Sequence, residues 1–394
     1  MVENAPDLES YLVGQVAVEV GPHGGVVPLR LPVWAERQHD RPDLRWAARA
    51  PAGVRIRLHV GVGRVTIRLH ALTVRLGDLV VPPQVTVVDG DDVRVHTFSR
   101  FSVLRLGGEG ASVQSLGVEA GEPEDVVIDR SSAADPLEVW LSPACRMELL
   151  SVVADSPVEP AGPSGGPVWV HYGSSISHGM GSPPHLPWPV QVARSTGWDL
   201  RNLSFSGNAQ LDPFAGRVVG AIAADVVTAK IGINVVNADV MRESAFLPAV
   251  HGFVDTVRER LPDVPIVLVS AISCPIHEDT PGPVVSDAGR WRTARRQVEG
   301  DAGALTLRRT RELLERVVLD RSSDDPNLHH LDGRSLFGPD DVGMLGDDLH
   351  PDQAGTDLIA DRFPAALRGA LGGALGGAVP FRTADQPEKT SVER

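Results

Sequence analysis

Lysine is almost missing from this chain. Lys230 and Lys389 are its only two, so nearly all of its 37 basic residues are arginine. We read that bias as a preference for GC-rich codons, without functional meaning. Cysteine is equally scarce, and Cys145 and Cys274 stand far apart. Two such thiols argue against a disulfide framework and against a cysteine-built zinc site, and read as isolated thiols. Basic charge is lacking as well: 37 Lys and Arg face 51 Asp and Glu, for a net charge of -14. An acidic surface speaks against nucleic acid and anionic membrane as partners, because both attract basic faces. No apolar run approaches the length of a membrane span. Residues 1–15 show neither a basic n-region nor a continuous apolar h-region, so a cytoplasmic protein is expected.

What the chain does have is length and a change of rhythm. At 394 residues and 42% hydrophobic, it has material for two domains with a sizeable core. Residues 54–60 and 65–76 alternate apolar with polar at period two, and short runs of the same kind recur at 85–88, 93–98, 126–128, 137–141 and 147–153. Many short strands separated by turn clusters predict an antiparallel β-sandwich of jelly-roll type over residues 1–160. A Pro/Gly/Ser-rich stretch at 156–166 then marks a domain junction.

Beyond it, apolar runs at 168–172, 226–231 and 266–272, with weaker ones at 200–203 and 328–331, alternate with helical spacing. Phe246, Val250, Phe253, Val254 and Val257 share one helical face, as do Leu305, Leu313, Leu314 and Val317. This rhythm predicts an α/β domain over 161–378, with a mostly parallel sheet between layers of helices. The polar residues 379–394 are expected to be a disordered tail. The segment 274–292 is long for a connection, as lids and binding loops often are.

In open parallel sheets, function gathers in the loops at the carboxyl ends of the strands. The first such loop reads Gly173-Ser174-Ser175, the second Ser206-Gly207-Asn208 and the third Gly232-Ile233-Asn234; Asp347-Asp348-Leu349-His350-Pro351 precedes the final helix. Together they supply the parts for acyl transfer. Ser175 is the candidate nucleophile and His350 its general base. Asp347, three residues earlier, is spaced to hold one ring nitrogen while the other faces the serine. The N–H groups of Ser175 and Gly207 and the side-chain amide of Asn234 are candidate oxyanion donors. Each piece alone is weak: a Gly-Ser turn, a loop Asn or an Asp before a helix is ordinarily structural. Their order after successive strands is what carries weight.

These four blocks resemble those of the SGNH hydrolases, also called the GDSL esterase/lipase family, over residues 167–372. The family's named Ser, Gly, Asn and His fall on Ser175, Gly207, Asn234 and His350. The resemblance implies a three-layer α/β/α sheet of flavodoxin-like order and ester hydrolysis with no metal and no organic cofactor. Ser174 stands where the family usually has Asp, and Gly232-Ile233-Asn234-Val235 stands where Gly-x-Asn-Asp is common. A strand-rich region before such a domain also resembles two-domain carbohydrate esterases.

The expected activity is removal of a short acyl group, such as acetyl, from a carbohydrate or glycosylated small molecule. Alternatives are lipase-, thioesterase- or acyltransferase-type chemistry on longer acyl chains, or a non-catalytic carbohydrate-binding protein. The partner is thus a small-molecule or oligosaccharide ester, and a homo-oligomer is compatible with the sequence. His178, Trp188 and His277 are candidates for lining the substrate pocket, each with a structural role as its default.

Overall fold

The apolar runs beyond residue 166 form five parallel strands: β1 (Val168–Gly173), β2 (Asp199–Ser204), β3 (Val226–Lys230), β4 (Ile266–Val269) and β5 (Leu328–Leu331). They are seen in a computed structural model that describes residues 7–76, 79–107, 114–294 and 302–372. The tail expected to be disordered, 379–394, lies outside these. The strand order is β2-β1-β3-β4-β5, and each neighbouring pair is parallel. This is the flavodoxin-like order, whose direction of winding reverses between β1 and β3. A crevice opens at the carboxyl ends of those two strands, and ligands gather there.

The helices of this region are α1 (Ser175–His178), α2 (Trp188–Thr196), α3 (Pro213–Gly220), α4 (Ile233–Asn237), α5 (Glu243–Arg258), α6 (Leu307–Arg321) and α7 (Gln353–Ala370). Because strand side chains alternate between faces, Val170 and Tyr172 pack with Phe214, Phe253 and Leu314 on one side. Trp169 packs with Val190, Phe363 and Leu367 on the other. Three layers result. Trp169 is fully buried, its ring 5.1 Å from that of Phe363 and 5.8 Å from that of Trp188. Truncating an aromatic at such a site costs about 3–5 kcal/mol.

The earlier region holds two sheets, of six and eight strands. Ile56, Leu58, Val87 and Val139 of one face Ile67, Leu69, Ile128 and Met147 of the other across a shared core, which makes a β-sandwich. Every strand expected from period two is present. Strands Ala17–Val20, Val26–Leu29 and Ser102–Gly107 were not expected, nor was the helix Pro42–Arg49. One pairing departs from the antiparallel expectation: residues 72–75 run parallel to 102–105.

The two regions are joined at β2, an edge strand of the parallel sheet. The fully buried Arg30 donates to the carbonyls of Asn202 (3.0 Å) and Ser204 (2.6 Å), and also to those of Ala47 and Ala50. Its guanidinium thereby occupies edge acceptors that would otherwise stay unpaired. Arg55 adds an ion pair to Asp199 on the same strand, 3.2 Å long. Among the described residues, no helix is long and apolar enough to cross a membrane.

Candidate active site

Ser175 begins α1, directly after β1 ends. A Cβ on Gly173 would sit 2.9 Å from both Ser177 Oγ and His171 Nε2, so a larger residue in this abrupt strand-to-helix turn would displace those side chains. Gly179 closes the turn at φ 71°, where a side chain would meet Pro187. As the first helical residue, Ser175 has a backbone N–H with no acceptor inside the helix. The buried Asn202 of β2 steadies the turn by donating to Ser177 O at 3.2 Å.

Ser175 Oγ lies 2.9 Å from His350 Nε2, and His350 Nδ1 lies 2.8 Å from Asp347 Oδ2. Asp347 Oδ1 accepts the backbone N–H groups of His350 (2.7 Å) and Leu349 (3.0 Å). Burial alone would push the Asp347 carboxyl up. Those hydrogen bonds and the neighbouring imidazole instead hold it below the usual carboxylate range. Asp348, at φ 69°, and the pairing of Leu345 with Pro351 fold the loop tightly before α7.

The three candidate oxyanion residues meet at the same place. Ser175, Gly207 and Asn234 all line one cavity with His350. Asn234 Oδ1 accepts the N–H of Ala209 at 3.0 Å, which leaves its amide N–H₂ to donate elsewhere. Gly207 belongs to a short turn, and a Cβ there would meet nothing within 4 Å. The residue before it, Ser206, takes a positive φ of 51°.

That strained residue is held from beneath by His178. Its Nε2 lies 2.8 Å from the Pro143 carbonyl and its Nδ1 3.0 Å from Ser206 Oγ. The carbonyl can only accept, so Nε2 carries the proton and Nδ1 accepts from the Ser206 hydroxyl. Burial, with Arg30 nearby, pushes the ring's pKa well below its ordinary value and keeps it neutral. His178 therefore supports the loop and does not line the cavity. Trp188 is likewise fully buried, with its indole N–H 3.2 Å from Ser177 Oγ. His277 is buried too, with Nδ1 3.0 Å from Thr280 O. Neither lines the cavity.

The cavity measures about 1050 Å³. Its lining includes Ile176, Met180 and Leu186 beyond Ser175, and Val74, Val81 and Ala144 from the sandwich. Sequence reasoning missed Trp291, which also lines it. The indole N–H of Trp291 donates to Asp347 Oδ2 at 2.9 Å. Among the described residues, His23, His70 and Glu148 are close enough together to hold a metal ion. They lie in the sandwich, and Glu148 already accepts from the N–H groups of His23 and Gly25.

Residues 171–358 match the model of the GDSL-like lipase/acylhydrolase family. Among curated proteins none matches the chain. Solved structures share the whole two-part architecture. One is a salicylyl-acyltransferase from a tetracycline biosynthetic pathway, at TM-score 0.72 and 24% identity over 94% of this chain and 96% of that one. Another is a GDSL-like lipase from Bacteroides ovatus, at 0.60 and 17% over 94% and 97%. A third is a family two carbohydrate esterase from Clostridium thermocellum, at 0.56 and 13% over 92% and 98%. At these identities the likeness speaks for the fold. The family match speaks for the chemistry, and residues 171–358 are thus a GDSL-like lipase/acylhydrolase domain, the ester-cleaving serine hydrolase part of a chain that begins with a β-sandwich.

Proposed function

We propose that the chain cleaves a carboxylic ester through an acyl-enzyme on Ser175. The observation that carries this is the unbroken hydrogen-bonded line from Ser175 through His350 to Asp347 at the cavity wall. The Ser175 hydroxyl gives its proton to His350 Nε2 as its oxygen adds to the ester carbonyl. Asp347 keeps Nδ1 protonated and stabilises the imidazolium. The N–H groups of Ser175 and Gly207 and the amide of Asn234 receive the oxyanion. His350 then returns the proton to the leaving alcohol. Water, deprotonated by the same histidine, releases the acid and restores Ser175.

For the substrate, we propose a short-chain ester, acetyl being the simplest, of a carbohydrate or glycosylated small molecule. What supports this is the architecture shared with the family two carbohydrate esterase. A second reading is favoured by the cavity itself. About 1050 Å³ with an apolar lining exceeds what an acetyl group fills, and leaves room for a bulkier acyl group or an acceptor alcohol. The acyl-enzyme would then pass to that alcohol, as befits a fold shared with a salicylyl-acyltransferase.

Hydrolysis of p-nitrophenyl esters from acetate to decanoate, by the wild type and by Ser175→Ala, separates these readings. Preference for acetate supports the first. A rise in rate with chain length, or diversion of acyl groups to added alcohols, supports the second. Activity that survives in Ser175→Ala would sink both.

A further inference from the structure

The segment after β4 builds an element that stands apart from the parallel sheet. Strands Val284–Asp287 and Arg290–Thr293 form a two-stranded hairpin that pairs with no other strand among the described residues. Its second strand is fastened to the loop that carries Asp347 and His350. The backbone N–H of Trp291 donates to Asp347 O at 2.9 Å, and its indole N–H to Asp347 Oδ2 at 2.9 Å. Arg290 and Arg292 both pair with Asp348. The Trp291 ring lies 6.3 Å from the His350 ring, centroid to centroid, tilted by 67°.

Four N–H groups thus converge on the Asp347 carboxylate, and they are not equivalent. Those of Leu349, the His350 backbone and the His350 ring belong to the same short loop, so they turn with it. Trp291 stands 56 residues away and anchors the carboxylate to a separate element. Its ring meanwhile lines the cavity with Val284.

We propose that Trp291 is a positioning residue. It fixes the Asp347 carboxylate, and through it the His350 ring, while its indole forms the cavity wall that a bound ester meets. The proposal rests on the assignment of Ser175, His350 and Asp347 above. The hairpin thereby links the cavity wall to the triad.

The test is Trp291→Phe in the full chain, which keeps an aromatic wall and the backbone bond to Asp347 but loses the indole N–H. Loss of a hydrogen bond to a charged group predicts a fall in kcat of about tenfold on p-nitrophenyl butyrate, with KM changed less than about threefold. Labelling of Ser175 by a fluorophosphonate should slow in parallel. The acidic limb of the kcat/KM profile should move to higher pH, because Asp347 without its outside donor is a stronger acceptor for the imidazolium. Arg290, Arg292, Asp348 and Asp352 are all kept in this variant.

The double variant Arg290→Ala/Arg292→Ala removes exposed ion pairs only, and should stay within about twofold of wild type. A wild-type kcat in Trp291→Phe overturns the proposal. So does a fall in kcat that follows thermal destabilisation while the acidic limb stays in place, since that is a packing defect. Failure of the fluorophosphonate to label Ser175 in the wild type is a different result, and removes the underlying assignment along with this one.

Discussion

Replacing Asp347 by Asn is the change that the local geometry makes most predictable. The carboxylate accepts four N–H groups: Leu349 and His350 backbone at Oδ1, the His350 ring and Trp291 at Oδ2. An amide has one acceptor oxygen and one N–H₂. If the oxygen keeps the two backbone donors, the N–H₂ faces the His350 ring. That ring must then offer an unprotonated Nδ1, which places its proton on Nε2, where Ser175 needs a vacant acceptor. The opposite rotamer sets the N–H₂ against two backbone donors. That opposition of donors disfavours the second rotamer, so the first is adopted, and the base is lost while the shape is kept. A wrong tautomer of this kind costs about 10⁴-fold in kcat, or about 5 kcal/mol of barrier. The assay is kcat and KM on p-nitrophenyl acetate near neutral pH, beside circular dichroism to confirm the fold. A folded Asp347→Asn enzyme that keeps more than about a tenth of wild-type kcat would refute the reasoning.

Other expectations follow from the same structure. Asn234→Ala removes the proposed oxyanion donor and strips Ala209 N–H of its acceptor, so kcat should fall about a hundredfold or more with KM little changed. Arg30→Met leaves several buried carbonyls at the junction unpaired, and urea unfolding should show a loss of at least about 3 kcal/mol. The pH dependence of stability has a definite sign. Burial, helped by Lys230, pushes the His171 pKa from 6.5 down to about 3, and His178 is also held well below 6.5. The unfolded chain therefore binds more protons below pH 6.5, and the stability from these neutral rings is lost as pH falls through that value. Thermal midpoints should decline between pH 6.5 and about 5, where most carboxylates remain ionised. A flat curve over that window would contradict the account.

How far the sequence speaks depends on how local the signal is. The five parallel strands and helices α5 and α6 were legible because burial on one or both faces imposes a period on neighbouring residues. The placing of Ser175 after β1, Gly207 after β2 and Asn234 after β3 followed from topology alone. The strand Val26–Leu29 was hidden by Pro28, which period-two reasoning reads as a break. Trp291 was hidden differently. Flanked by Arg290 and Arg292, it shows no apolar period, and its partner Asp347 is distant in sequence. His178 and Trp188 follow the nucleophile closely enough to suggest the pocket, yet both turn inward. One props the Ser206 loop and the other packs against Trp169 and Phe363. Nothing local to those residues distinguishes the two directions.

Ser175 Oγ is the proposed acceptor of the acyl group, and every step above depends on it. The direct measurement is intact-protein mass spectrometry of the full chain mixed with p-nitrophenyl acetate and quenched in acid, followed by peptide mapping. A transient adduct of one acetyl group is expected on Ser175, and none in Ser175→Ala. An adduct on another residue, or turnover by Ser175→Ala at the wild-type rate, would contradict that assignment.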